Sequence, residues 1–422
     1  MNLVSRSLCL ALLSLLTAPV AHAANANHIK QLKETRQCGK CDLVNANLQG
    51  FYLEKANLKG ANLKGANLNG ANLKGAYLKQ ANLTAADLRN ANLEDANLED
   101  AILDGARLKN SAINDRTVMA AKWQLVRSLV NQGVGDRDLK EADLAKANLS
   151  GVDLRNANLE GANLSEATIE EALLNGANFN KTNLQRSSLF LSDLRKASFS
   201  EGNLNQSSLR STDLRGATLE KSDLSRVDLT GSYLQTANLS SATLKGANLS
   251  RTQLNQANLS QSQLQGANLF TADLREANLT QVELSGTNLT GADLSSAAAI
   301  QGNLQGTNLE GANLRALKLE GANLSGLNLR GADLSGNNLR AANLRNSNLS
   351  EASLKNAKLS SANLMSANLS KADLSGADLS GAVLIYANLS NANLLNANLN
   401  GASLSQATVC GATMPDGHKV KC

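Results

Sequence analysis

The sequence predicts an all-β solenoid, a chain that turns a corner every five residues, arranged in two repeat blocks with a short α-helix between them and a cap at each end. Three observations carry this. A dominant apolar residue returns at every fifth position from Leu43 to Val118 and again from Leu139 to Met414. Two places before it stands a small residue, as at Ala46, Ala56, Ala61 and Ala66. Aromatic residues make up only 2% of the 422 positions, too few for ordinary cores built from side chains of mixed size.

A period of five excludes the two regular alternatives. Five residues carry an α-helix about 140° beyond one turn, so no apolar face persists. A flat strand alternates with period two and cannot keep an odd-numbered repeat on one side. A chain that bends once per repeat can turn each central Leu and its small partner inward while its backbone pairs with the next coil at about 4.8 Å. A second Leu in every repeat would overfill so narrow a core. The Asn or Asp before the central residue suits a tight turn, where its side chain reaches nearby backbone, and Gly or Asn at the last position tolerates unusual backbone angles.

In chain order, residues 1–23 read as an export signal: Arg6, an apolar run from Leu8 to Leu16, then Ala21-His22-Ala23 before the cut. No membrane crossing is expected once the signal is removed. Residues 24–42 form an N-terminal cap in which Ile29 and Leu32 cover the first coil. The first block, 43–118, holds 16 central positions. Residues 119–138 are a helical insertion and loop, with a helix over Ala120 to Val130 whose Trp123, Val126 and Val130 face inward, Trp123 as anchor, before Gln132-Gly133 stops it. The second block, 139–414, holds 56 centres. Val118 and Leu139 are 21 residues apart, so the second run starts one residue out of phase, and two stacked blocks with a bend or offset are expected. Residues 415–422 form the C-terminal cap.

The mature chain keeps Cys38, Cys41, Cys410 and Cys422, two near each end. In an oxidising compartment, Cys38–Cys41 and Cys410–Cys422 are the local pairings, among three connectivities that sequence allows. The C-G-K-C at 38–41 also admits a thiol redox reading, although a catalytic dithiol belongs at a helix start beside a βαβ core.

The repeats A-N-L-K-G at 61–65 and A-D-L-S-G at 376–380 resemble the pentapeptide repeat family. That resemblance, which covers nearly the whole mature chain, implies a right-handed quadrilateral β-helix with four repeats per coil, hence about four coils and about 14 coils in the two blocks, roughly 19 and 67 Å long. The signal, the C-x-x-C ahead of the repeats, the W-Q-L-V helix with N-Q-G and the terminal T-M-P-D-G are similar to exported cyanobacterial members. The resemblance implies a periplasmic or thylakoid-lumen location and supplies no reaction.

Four repeats per coil would stack residues 20 apart. Ala299 then stands where Leu is expected, Leu317 fills volume near it, Leu327 takes another small position, and Asn337 faces the core and needs partners. Glu54, Lys74 and Glu94 form an alternating-charge row, and Lys59 and Lys79 precede Glu99 in another. Met365 and Ile385 stack outwardly with Tyr386 adjacent, the first candidate contact surface. Phe190 and Phe270 share a row four coils apart.

Forty-one basic against 36 acidic residues give a net charge of +5, or +4 without the signal's Arg6. Neither a polybasic nucleic-acid binder nor an acidic mimic is implied. Histidines at 22, 28 and 418 make no metal centre. No phosphate loop, H-E-x-x-H, catalytic triad or dinucleotide fingerprint occurs, and Glu170-Glu171 are adjacent rather than opposed across a cleft. The expected function is a noncatalytic structural or interaction scaffold, without cofactor or metal, for a protein partner that sequence does not identify. End-to-end homo-oligomerisation is left open. The competing readings are a redox factor using Cys38 and Cys41, and a nucleic-acid-mimicking binding protein, which export and balanced charge disfavour.

Overall fold

The computed structural model describes residues 24–131, 137–298 and 303–422; the signal segment and Ala299 lie outside them. The chain divides into two compact units, residues 1–132 and 133–422.

In both units the backbone pairs in parallel with the residue 20 positions on: Asn62 with Asn82, Asn82 with Ile102, Asn238 with Asn258, Asn258 with Asn278. Four five-residue sides therefore complete one coil, and the chain forms a right-handed quadrilateral β-helix. Within a side, three backbone bonds repeat. The central Leu63 donates to the carbonyl of Asn82 at 2.8 Å, Ala66 donates back to Leu63 at 3.0 Å to close the corner, and Asn82 donates to Ala61 at 2.9 Å. The donor at each corner also pairs upward, as Gly65 does with Thr84 at 2.8 Å. Nearly every backbone group of an inner coil is thus satisfied by its neighbours above and below.

The last position of each repeat adopts a left-handed backbone, at φ 67° for Gly65 and 56° for Lys55. Lys, Glu, Gln and Ser occupy it as well as Gly and Asn, so the coil-to-coil bonds hold ordinary residues in a conformation that otherwise disfavours them. Gly65 has a second constraint, because a methyl group there would collide with Oδ1 of Asn45. The Asn before each centre makes the turn expected of it. Asn238 Oδ1 accepts the N–H of Ser240 at 3.1 Å, and Asn258 Nδ2 donates to that same oxygen at 3.0 Å from the coil above.

The core is two columns of side chains per side. Leu63 and Leu254 are 0% exposed, as are the Ala partners Ala61 and Ala257. Stacked Phe179 and Phe199 replace Leu on one side of the second unit, with centroids 4.8 Å apart and planes 3° from parallel. Their separation is that of the coils themselves. Gly202 stands in a neighbouring small position, where its N–H donates to the carbonyl of Phe199 at 2.9 Å just as Thr182 donates to Phe179 at 3.1 Å. Leu317 and Leu327 are buried in small-residue positions. Asn337 is buried and fully engaged: Nδ2 donates to Leu314 O at 2.8 Å, and Oδ1 accepts the N–H of Ala316 at 2.9 Å.

Helix α1, Ala26–Thr35, begins where Asn25 Oδ1 accepts the N–H groups of Asn27 and His28. It ends at Arg36, whose left-handed backbone (φ 57°) returns its N–H to Leu32 O. Leu32 is wholly buried, and Asp42 donates its backbone N–H to His28 Nδ1 at 3.1 Å, which pins the helix to the first coil. Helix α2, Ala121–Asn131, closes the other end of the first unit. It buries Trp123, Val126 and Leu129, so Leu129 takes the place expected of Val130. Arg127 Nε donates to Ser111 O at 2.8 Å, and Asn131 accepts the N–H of Asn110.

Val118 is not an inward centre. It pairs with Asn97, 21 residues earlier rather than 20, and is 47% exposed. The turn from Asn114 to Thr117 holds one extra residue, which moves the inward positions to Thr117 and Met119, 7% and 6% exposed. Thr117 Oγ1 satisfies itself on Leu93 O at 3.0 Å. The one-residue shift of phase therefore arises inside the last coil of the first unit, and Met119 stands 20 residues before Leu139 in sequence.

Candidate contact surfaces and the family

With the interior fixed by the repeat, chemistry is confined to the outward positions. Met365 and Ile385 lie on successive coils: Asn346 N donates to Met365 O at 3.0 Å and Ser366 N to Ile385 O at 2.9 Å. Both side chains are half-buried, and Tyr386 at the next corner is 58% exposed. The column continues to Arg345, whose Nη1 lies 3.2 Å from Met365 Sδ. Arg345 was not singled out from sequence, although its spacing of 20 from Met365 carries the signal. The result is an apolar strip with a cation at one end and a phenol at the other.

A second surface was not anticipated. Leu191, Asp193, Asp213, Arg215, Tyr233 and Gln235 line a groove of about 330 Å³ on one side of the second unit. Leu191 and Tyr233 are exposed. The two carboxylates are held by arginines of their own repeats, Asp193 by Arg195 at 2.6 Å and Asp213 by Arg215 at 2.5 Å. The Arg195 hydrogen bond keeps the Asp193 carboxyl below the usual carboxylate range against the opposing effect of partial burial. An ionised, bidentate-bound carboxylate is a poor proton donor. Glu170 and Glu171 do not form an acid/base pair: Glu170 accepts the Ser188 hydroxyl at 2.7 Å, while Glu171 sits at a left-handed corner.

In the charged rows of the first unit, Lys74 binds Glu94 at 3.1 Å and Lys79 binds Glu99 at 2.8 Å, while Glu54 accepts the Tyr52 hydroxyl. Disulfides join Cys38 to Cys41 and Cys410 to Cys422. Cys38 is 0% and Cys41 5% exposed. Trp123 is buried against the end of the first unit, with Lys122 Nζ 5.1 Å from its ring centre. Phe270 is exposed. Among the described residues, no three His, Cys, Asp or Glu side chains are placed to hold a metal ion, and no helix is long and apolar enough to cross a membrane.

The family model for pentapeptide repeats matches residues 41–112, 138–189, 192–270, 272–336 and 338–414 in overlapping or abutting segments. Among solved structures, the chain is similar to HetL, a pentapeptide repeat protein involved in heterocyst differentiation regulation from the cyanobacterium Nostoc sp. strain PCC 7120. They share 34% identity over 58% of this chain and 91% of that one, with a TM-score of 0.29. It is also similar to a pentapeptide repeat protein of the Arabidopsis thaliana thylakoid lumen, at 38% identity over 22% of this chain and 66% of that one, with a TM-score of 0.15. No curated protein sequence matches. The superpositions are partial, and the matched repeats carry the assignment: the chain belongs to the pentapeptide repeat family.

Proposed function

We propose that the protein is a noncatalytic interaction scaffold of an exported compartment, the periplasm or the thylakoid lumen, and that the strip formed by Arg345, Met365, Ile385 and Tyr386 receives a protein partner. The observation that carries this reading is the exposed Tyr386 beside two apolar side chains fixed on consecutive coils, a rigid aromatic and aliphatic anchor of the kind that concentrates binding energy. The paired carboxylates support a noncatalytic role, and the two disulfides support an oxidising compartment. Burial of Cys38 weighs against the redox alternative, because exchange requires an accessible sulfur.

A photoreactive residue at position 386 tests the reading in the native compartment. One discrete adduct, absent when the probe is moved to position 245 and lost with Ile385→Asp, is expected. Equal labelling from both positions would remove the strip as the contact surface. The half-exposed core of the last coil supports end-to-end self-association as a further partner mode, which sedimentation velocity tests by a concentration-dependent dimer.

A further inference from the structure

We propose that the helical cap and first coils of the first unit form a cationic docking surface for an anionic lipid bilayer, by adsorption and not insertion. The reading is independent of the strip near Tyr386. Charge along the first unit is uneven: residues 30–64 carry seven Lys or Arg against three Asp or Glu, residues 86–104 one Arg against six Asp or Glu, and residues 105–131 five Lys or Arg against one Asp.

The acidic side is largely neutralised within the chain. Asp87 is held by Arg89 at 2.6 Å, Asp95 by Arg116 at 2.7 Å, and Glu94 and Glu99 by Lys74 and Lys79. The basic side is not. Lys33, Lys40, Lys55 and Lys59 are exposed and have no carboxylate partner among the described residues. Arg36 stacks its guanidinium 4.9 Å from the centre of the Tyr52 ring.

These cations share one region. Lys33, Arg36, Phe51 and Tyr52 line a single hollow of about 300 Å³. Lys40 N donates to Lys59 O, and Asn57 N, two residues from Lys55, donates to Arg36 O, both at 2.8 Å. The acids nearby are few. Glu34 lies on α1, Asp42 is half-buried and accepts the N–H of Val44 at 3.4 Å, and Glu54 is occupied by the Tyr52 hydroxyl.

The chemistry of the set favours a bilayer over a folded acidic partner. Four of the five cations are lysines, flexible point charges without the planar fork that selects one carboxylate or phosphate geometry. A diffuse layer of anionic headgroups satisfies such charges without fixed register, and each contributes about fivefold to adsorption. Tyr52, 58% exposed with Phe51 beside it, has the amphipathic ring that settles at a membrane–water interface. A second copy is a poor occupant, since four of the six acids on the coils that would receive this end are already paired.

The test is cosedimentation of the full chain with vesicles of phosphatidylcholine alone and with 30 mol% phosphatidylserine. Both contain the hydrocarbon that residues 1–23 could enter, so the ratio between them isolates electrostatic adsorption. The expected ratio is at least tenfold at low salt, falling toward one at 0.5 M salt. K40E/K55E/K59E should bring it near one at low salt with unchanged circular dichroism, whereas K181E/K196E/K371E, exposed lysines of the second unit, should leave it unchanged. Equal binding to both vesicles, a preference that survives the first triple variant, or an equal loss with the second would each overturn the proposal.

Discussion

The first coil of the first unit and the last coil of the second are closed in different ways. Under α1 the inward residues Cys38, Leu43 and Leu48 are 0% exposed and Leu53 1%. In the last coil the equivalent residues Leu399, Leu404, Val409 and Met414 are only half-buried. A return strand pairs Thr413 with Lys419 and bonds Met414 N to His418 O at 2.8 Å, covering one side of four. Among the described residues, the N–H groups of Leu399, Leu404 and Val409 have no backbone acceptor, whereas Leu389 reaches Thr408 O at 2.7 Å. A coil is dry because another coil or a helix lies on it, not because its own residues are apolar. The last coil is also uncharged from Ala397 to Thr413, so it lacks the charges that usually blunt a free edge.

The largest test of that rule places one substitution in both settings. Leu254→Asp puts a carboxylate into a column that is 0% exposed and should cost about 4 kcal/mol or more, or open the second unit locally. Leu404→Asp, half-buried at the free end, should cost about 1–2 kcal/mol because its carboxylate reaches water. Thermal melts of the two variants decide it. Equal losses would mean that the last coil is as dry as the middle.

Removing the disulfides should act next most strongly, and unequally. Cys410–Cys422 spans a separation of 12 residues and Cys38–Cys41 one of 3, which in the chain-entropy model correspond to about 3 and about 2 kcal/mol. The first unit retains α1 and its buried Leu32, while the C-terminal return strand keeps only its few backbone bonds, among them Gly411 N to Val420 O and Met414 N to His418 O. On reduction, hydrogen exchange should lose protection first from Thr413 to Val420, then at α1, and last in the middle coils. Uniform loss would contradict local closure at the ends.

Acid should spare the uncharged end and loosen the middle. Hydrogen bonds from Arg195 and Arg275 hold Asp193 and Asp273 below the usual carboxylate range, with partial burial opposing. A carboxyl depressed in the folded state contributes stability above its unfolded pKa of about 3.9 and loses it as pH falls through the lower folded value. The arginines are half-exposed, so solvent screens each pair and its contribution is small. Melting of the second unit should therefore fall below about pH 4, and D193N/D273N should flatten that dependence. An unchanged slope would assign acid sensitivity elsewhere.

Most of this architecture was legible because one periodicity governs it. A centre every five residues with a small partner two places earlier exposes the inward columns directly, and Leu63, Ala61, Leu254 and Ala257 are buried as the pattern requires. The coil of four was implied by the family resemblance and is visible in the pairing of residues 20 apart. Counting failed at Val118, because the residue added between Asn114 and Thr117 changes a turn without interrupting the apolar run. It also passed over the Phe179–Phe199 stack, whose spacing of 20 was present, since a pair becomes recognisable only when the coil length is applied to the centres. Contact surfaces were less legible. Outward positions are free of the packing that writes the interior, so Met365 and Ile385 could be placed on one column while the groove by Tyr233 and the cations around Arg36 required the folded chain.

That freedom predicts the smallest effect, at a residue adjoining one of the most constrained. Leu244 is 0% exposed, and its neighbour Lys245 points outward with only its backbone carbonyl engaged in the coil, accepting from Arg226 N at 2.9 Å. Lys245→Glu should change stability by no more than about 0.5 kcal/mol, and denaturant melts would detect a larger shift. A loss of several kcal/mol would mean that the outer rows share in the folding energy, and the contrast between a constrained interior and a freely varied surface would no longer explain where this chain places its contacts.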